Sequence, residues 1–281
     1  MPEGDNLART ADGLRPHLLG RQVTAARARV PGPAISHIVG ATVTEVLSIG
    51  KNLLIRFDNG LEVRTHLRMR GTWHRYRPGE PWRRAPGRAS LVIEVPGAVA
   101  VAFDTPVVEL LEQRAERLHA PLGGLGPDLL DPNVDLAAAK RRLREPSRAG
   151  RSIAEAITDQ RAVAGLGNVY KSEILWLERV NPFATVADID DETLDRLLDL
   201  GRRLLVANAA RAGGRVTTAG PDARRRDPRA GGDSVWVCRR AGRPCRRCGT
   251  LIRAAQQGDL PRTTYWCPSC QVATGQAQQR L

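Results

Sequence analysis

Two clusters in this chain have residue types and spacing suited to chemistry. The first is the start, Met1-Pro2-Glu3-Gly4-Asp5. Inside a chain, proline has no N–H and no nucleophilicity. Removal of the initiator methionine, which a small second residue allows, would make Pro2 a secondary amine. Its pKa would be roughly 8, so a useful fraction is neutral near physiological pH. Such an amine can attack a sugar C1′, expel the base and leave an iminium, which acidifies C2′–H and permits strand cleavage by elimination. Glu3 could protonate the ring oxygen or the leaving group as general acid. Taken alone, a Met-Pro-Glu start is equally an ordinary solvated terminus.

The second cluster is Cys245-x2-Cys248, then 18 residues, then Cys267-x2-Cys270. Two such pairs, each on a tight knuckle with Gly249 or Pro268, fit one closed tetrahedral zinc site. Two disulfides are the alternative, which a reducing compartment disfavours. Four thiolates leave no open position for substrate, so this zinc is expected to be structural. Cys238 is left over and is expected to be a semi-buried free thiol.

Charge suggests what these clusters act on. The chain carries 43 Lys+Arg against 30 Asp+Glu, a net +13 over 281 residues. Only Lys51, Lys140 and Lys171 are lysines. An Arg-rich chain can reflect biased composition, but acids could have balanced it, so a polyanionic partner is expected. Between 222 and 253 ten Arg face three Asp, which places +7 of the excess around the cysteine pairs. A small zinc-stapled hairpin with that charge suits phosphate contacts, although such ribbons also mediate protein contacts. No apolar run approaches the ~18 residues that span a bilayer, and the polar, acidic start is no signal peptide. A cytoplasmic protein, nucleoid-associated through DNA, monomeric and without a membrane partner or organic cofactor, is expected.

The elements that must position these residues read as follows. Residues 3–20 have helical spacing of Leu7, Leu14, Leu18 and Leu19, closed by Gly20. From 22 to about 103 short β-type runs (43–48, 53–57, 61–66 and 91–95) alternate with turns such as Asp58-Asn59-Gly60, which predicts an antiparallel sandwich or barrel. A Pro- and Arg-rich loop lies between 78 and 87. Residues 121–132 read as a linker, and helices are expected near 134–145, 152–159, 168–179 and 190–212. In the last, Leu194, Leu197, Leu198, Leu204 and Leu205 share one face and predict a helical core. Residues 213–235 read as a mobile loop.

Four separated segments occur in one order: Pro2-Glu3-Gly4, Gly50-Lys51-Asn52-Leu53-Leu54, the run from Ala164 through Gly165-Leu166-Gly167-Asn168-Val169-Tyr170-Lys171-Ser172 to Glu173, and Arg262-Thr263-Thr264-Tyr265-Trp266-Cys267 within the cysteine ribbon. Their order and spacing resemble the formamidopyrimidine-DNA glycosylase/endonuclease VIII family over essentially the whole chain. The resemblance implies an α+β multidomain fold. It has an N-terminal β-sandwich with a leading helix (1–120), a helix–two-turn–helix domain (131–222) and a C-terminal four-cysteine zinc ribbon (236–272), with DNA in the cleft between them. The implied activity is a bifunctional DNA glycosylase and abasic-site lyase of base excision repair. It acts on damaged DNA, flips out an oxidised base, and nicks the strand by β/δ-elimination. A non-catalytic lesion-binding protein on the same scaffold is the alternative.

By position, the resemblance makes Pro2 the Schiff-base nucleophile and Glu3 the general acid. Lys51 and Arg262 would hold phosphates flanking the lesion, and Asn168 the backbone. Gly165 and Gly167 would allow backbone N–H groups to face a phosphate. In that role Lys51 would be one mobile point charge. Read without the resemblance, it is a solvated strand end and Gly-x-Gly-Asn a turn that starts a helix. His66-Leu67-Arg68-Met69-Arg70-Gly71 resembles the family's gap-filling loop. Met69 would be the wedge and Arg70 or Arg68 would meet the orphaned base, with a core position the alternative for Met69. Two departures matter. Asp5-Asn6 stands where the family commonly has Pro-Glu, so the second acid is Asp5 or absent. The stretch 104–112 lacks the Arg-x-Phe element of the formamidopyrimidine branch, which points to the endonuclease VIII branch and to oxidised pyrimidines.

Overall fold

The structure is a computed structural model that describes residues 2–29, 31–210, 235–258 and 261–272. The described α-helices are α1 Gly4–Leu18, α2 Ala120–Gly123, α3 Leu136–Leu143, α4 Pro146–Ala149, α5 Ile153–Ala156, α6 Asn168–Leu177 and α7 Asp191–Ala209. The described strands are β1 Ala25–Ala28, β2 Val43–Ile49, β3 Asn52–Phe57, β4 Leu61–His66, β5 Thr72–Tyr76, β6 Ala89–Val95, β7 Ala98–Phe103, β8 Val107–Glu112, β9 Arg253–Gln257 and β10 Arg262–Trp266. The chain divides into two compact units, Met1–Gly124 and Leu125–Leu281.

In the first unit, Leu7, Ala11, Leu14 and Leu18 fall on one stripe of α1 and are buried. They cover a sandwich of two antiparallel four-stranded sheets, ordered β2-β3-β4-β8 and β1-β6-β7-β5. Val43, Val46, Leu53, Ile55 and Val63 from one sheet share a core with Leu91, Ile93, Ala98, Ala100 and Ala102 from the other. Strands β1, β5, β7 and β8 were not anticipated. β7, Ala-Val-Ala-Val-Ala-Phe, is buried along its whole length and therefore shows no polar alternation.

Two contacts fix the direction of α1. Arg15 donates from Nε and Nη2 to the Val46 carbonyl, and the Gly20 N–H donates to the Val43 carbonyl. Moving back along α1 thus means moving up β2. Eleven residues of helix, from Arg15 to Gly4, rise roughly 16 Å, and five residues of strand, from Val46 to Lys51, rise about as much. The start of α1 therefore lies level with the turn between β2 and β3.

The second unit is helical with a two-stranded hairpin. Leu194, Leu197, Leu198, Leu204 and Leu205 of α7 are buried with Leu166, Tyr170, Ile174 and Leu175 in one core, as their spacing predicted. α7 begins after Asp190, whose carboxylate accepts the Thr193 N–H. The helices are shorter than their sequence spacing suggests, and the Asp159–Gly167 segment is built of turns. Residues 121–132 contain the unit boundary but are not an unpacked linker, because Leu122 and Leu129 are buried. The predicted loop 213–235 lies outside the described residues except at Val235. Gly4 and Gly13 of α1 need no special backbone, whereas Gly20 just beyond it has φ 71 and closes the helix.

Candidate active site and nucleic-acid interface

Glu3 caps α1 with extended backbone, and its carbonyl accepts the N–H groups of Asn6 and Leu7. Its side chain is buried, at 2% exposure, beside half-buried Pro2. Burial of a carboxyl next to a helix start gives it a fixed place rather than a solvated one. Asp5 is also buried and pairs through Oδ2 with Arg9 at 2.8 Å. Its Oδ1 has no protein partner among the described residues, whereas Asn6 is exposed.

Lys51 is not at a solvated strand end. It sits in the β2–β3 turn after Gly50 (φ 57) and is 7% exposed, so it is a held charge and not a mobile one. The turn has its own brace. Asn52 donates to the Ile49 carbonyl and accepts from Arg64 Nε at 2.9 Å, while Arg64 Nη1 reaches Glu109 Oε2 at 2.5 Å. Glu109 lies on β8, which pairs with β4. Sequence reading missed this brace because its members are 12 and 45 residues apart.

Pairing of Leu53 with Thr65 and of His66 with Val107 puts the 66–71 loop at the same end of the sheet as Lys51. His66 is held down to about 4 by burial, then by the positive charges of Arg68, Arg64 and Lys51. Its Nδ1 accepts the Arg68 N–H at 3.1 Å. That bond supports Arg68 in a left-handed conformation (φ 50), and the loop then closes with the Gly71 N–H on the Leu67 carbonyl. A Cβ on Gly71 would stand 2.6 Å from the Leu67 oxygen, so only glycine fits the closure. Met69 at the tip is 68% exposed, which removes the core alternative, and Arg68 and Arg70 are exposed beside it.

In the second unit, the turn before α6 is tight. Gly165 has φ +101, with Leu205 and Asp128 at contact distance from the place of a Cβ, and buried Gly167 caps the helix. Asn168, the first residue of α6, donates from Nδ2 to the Thr263 carbonyl at 2.8 Å. Lys171 Nζ donates to Thr264 Oγ1 at 2.8 Å, and Ser172 Oγ accepts the Tyr265 N–H at 3.4 Å. One face of α6 thus grips the strand that starts with Arg262. Arg262 is half-buried and has no ion pair among the described residues. It lines a recess of about 300 Å³ with Arg151, Glu155, Thr158, Lys171 and Gln257.

Glu173 has a role that its place in the sequence run did not reveal. Fully buried, its carboxylate accepts the backbone N–H groups of Trp236, Val237 and Cys238 at 2.6–2.9 Å. It ties α6 to the chain that leads into the cysteine ribbon. Arg247 caps the same region, 3.9 Å above the Trp176 ring. Cys238 is fully buried rather than semi-buried and lies outside the thiol cluster.

The sulfurs of Cys245, Cys248, Cys267 and Cys270 all lie within 4.8 Å of one another, with three pairs at 3.5, 3.5 and 3.9 Å. A tetrahedral zinc with bonds of about 2.3 Å sets its sulfurs about 3.8 Å apart, so the donor set fits such an ion. The Thr250 hydroxyl and N–H pull the Cys248 thiol down to about 6, while burial and the neighbouring thiols push Cys270 up to about 12.

The formamidopyrimidine-DNA glycosylase N-terminal domain matches residues 1–106, and the helix–two-turn–helix domain of the same enzymes matches residues 125–219. The chain belongs to the formamidopyrimidine-DNA glycosylase/endonuclease VIII family. A probable endonuclease 8 2 of Streptomyces coelicolor is 41% identical over 97% of this chain and 94% of that protein. A DNA-(apurinic or apyrimidinic site) lyase Nei2 of Mycolicibacterium smegmatis is 39% identical over 98% of this chain and all of its own length. Endonuclease 8 of Escherichia coli is 31% identical over 96% of this chain. Among solved structures, MutM in complex with DNA containing carbocyclic 8-oxo-G has a TM-score of 0.79 at 20% identity, over 97% of this chain and 100% of that one. The Lactococcus lactis protein bound to DNA with an oxidised pyrimidine has the same score and identity. At that identity the likeness is one of fold, and family membership rests on the sequence relatives.

Proposed function

We propose that this member of the family is a bifunctional DNA glycosylase and abasic-site lyase of the endonuclease VIII branch, acting on oxidised pyrimidines. The observation that carries the reading is local. The start of α1, with Pro2 beside a buried Glu3, lies at the end of the sandwich where Lys51 is braced and the exposed Met69 loop projects. Nucleophile, acid, phosphate cation and wedge therefore belong to one end of one unit.

Pro2 nitrogen, freed of Met1, forms a bond to C1′ of the flipped nucleotide. The bond from C1′ to the base breaks, its electron pair leaves with the base, and the amine loses its proton. Opening of the C1′–O4′ bond, with Glu3 donating a proton to O4′, gives the iminium. The cation acidifies C2′–H; loss of that proton breaks the C3′–O bond and releases the 3′ phosphate, and a second elimination releases the 5′ phosphate. Glu3, buried beside Pro2, is the carboxyl placed to donate that proton. Asp5 takes the place of the second acid, since its Oδ1 is buried and Asn6 faces solvent.

Lys51 and Arg262 hold the phosphates flanking the lesion, because unstacking a nucleotide costs roughly a few kcal/mol that backbone contacts must offset. Asn168 keeps a second N–H on Nδ2 beyond the one given to Thr263, and that group serves the DNA backbone. Met69 fills the gap, with Arg68 and Arg70 beside the orphaned base. Cys245, Cys248, Cys267 and Cys270 would hold a zinc ion whose contribution is structural, since it fixes the hairpin that presents Arg262. The domains are assigned as 1–120, 131–222 and 236–272.

A panel of defined lesion duplexes, read separately for base release and for strand cleavage, tests this reading. Release and cleavage of oxidised pyrimidines support it. Binding of abasic duplex with no cleavage of any member would replace it with a non-catalytic lesion binder.

A further inference from the structure

We propose that the recess lined by Trp73, His74, Arg75, Tyr76 and Arg83 is a second nucleic-acid contact, which takes one base and one phosphate of a single strand remote from Pro2. The recess has a volume of about 420 Å³, within the range of nucleotide-sized sites. β5 is an edge strand that runs away from the Met69 loop, so its end lies far from the proposed reaction centre. α1 runs the same way, and Arg75 acts on His17 near its last turn. Fifteen residues of helix separate the two ends by roughly 20 Å.

The recess holds positive charge without a counter-ion. Arg84 and Arg88 are neutralised by Asp104, and Arg27 by Glu94. Arg75 and Arg83 are exposed and have no carboxylate partner among the described residues. Glu80, the acid of the 77–88 loop, already accepts the Arg77 N–H at 2.8 Å. His17 and His74 are both held below their usual pKa, first by burial and then by arginines: Arg75 and Arg21 for His17, Arg84 and Arg83 for His74. An anion placed there relieves that repulsion.

The wall is also built in advance. The Tyr76 hydroxyl bonds His74 Nδ1 at 2.8 Å and accepts the Arg83 N–H at 3.1 Å. Trp82 stacks on Tyr76 with ring centroids 6.1 Å apart, and Phe103 meets His74 edge-on at 5.1 Å. Tyr76 and Phe103 are themselves buried, so half-buried His74, held by them, and half-buried Trp73 are the rings that a base would meet, with the unpaired guanidinium groups left for its phosphate. An acidic peptide would satisfy the arginines and leave the rings without a planar partner.

The test uses the full chain and a lesion-free oligothymidylate of about ten nucleotides carrying 5-iododeoxyuridine, so its outcome does not depend on any cleavage activity. Irradiation should cross-link the peptide that spans residues 72–84. Arg75→Ala/Arg83→Ala should remove that cross-link, weaken binding of the strand about fivefold and lower its salt slope by about 0.7, the value for one phosphate. Arg75→Lys/Arg83→Lys should keep most of the binding, and nicking of an abasic duplex should be unchanged in both variants. Cross-links confined to other segments, or binding unaltered by the alanine pair, would overturn the proposal. So would displacement of the strand by a glutamate-rich peptide of equal charge, which would assign the recess to a protein partner.

Discussion

Asn168 Nδ2 lies 2.8 Å from the Thr263 carbonyl oxygen, so the first residue of α6 and the strand that begins with Arg262 are one mechanical piece. A side-chain amide facing a carbonyl must present its nitrogen, which fixes the orientation and leaves Oδ1 buried without a protein partner among the described residues. Loss of the bond by Asn168→Ala should cost about 1 kcal/mol of stability. Because the same change frees the Arg262 strand and removes an N–H for the backbone, affinity for abasic duplex should fall about tenfold with helical content retained. Fluorescence anisotropy beside circular dichroism checks this; unaltered affinity would remove Asn168 from the interface.

Met69 separates stability from function. At 68% exposure it supports no core, so Met69→Ala should change the unfolding free energy by less than about 0.5 kcal/mol. Release of a damaged base from duplex should slow about tenfold, since extrusion loses its wedge. Cleavage of a ready-made abasic site should slow less. Equal slowing on both substrates would argue against a wedge.

The metal account predicts a local failure. Chelation, or Cys267→Ser, should release one zinc per chain, loosen the hairpin that carries Arg262 and lower DNA affinity, while the α6–α7 core stays folded. Chromogenic zinc assay, circular dichroism and DNA binding on one sample measure all three. Full DNA affinity after complete metal release would contradict it.

His66 makes a prediction with a definite sign. Its folded value is about 4, below the ordinary 6.5, so between those values the unfolded chain binds a proton that the folded chain refuses. Stability therefore falls as pH drops from about 6.5 toward 4, by about 1–3 kcal/mol from this residue. His66→Gln should flatten that part of the profile relative to the native chain in urea melts at graded pH. An unchanged slope would show that His66 titrates normally.

The parts of this molecule that were legible in the sequence are those whose signal is short. The cysteine spacing, the Pro2-Glu3 start and the leucine stripe of α7 each fall within a few turns of chain, and the structure brings their members together. The burial of Lys51 was not legible, and the turn that carries it is braced at Asn52 by Arg64 and Glu109 from two neighbouring strands. β8 was read for a missing motif, while its pairing with β4 is a long-range fact. Glu173 stood inside a quoted run, but nothing local tells that a carboxylate will find three N–H donors more than sixty residues away.

The central claim concerns a bond between nitrogen of Pro2 and C1′ of a deoxyribose. Incubation with abasic duplex and borohydride, followed by intact-mass and peptide mapping, reads it directly. The account predicts a chain lacking Met1, with the reduced adduct on Pro2 and none after Pro2→Gly or with Met1 retained. An adduct on a lysine, or trapping that persists in those variants, would contradict it.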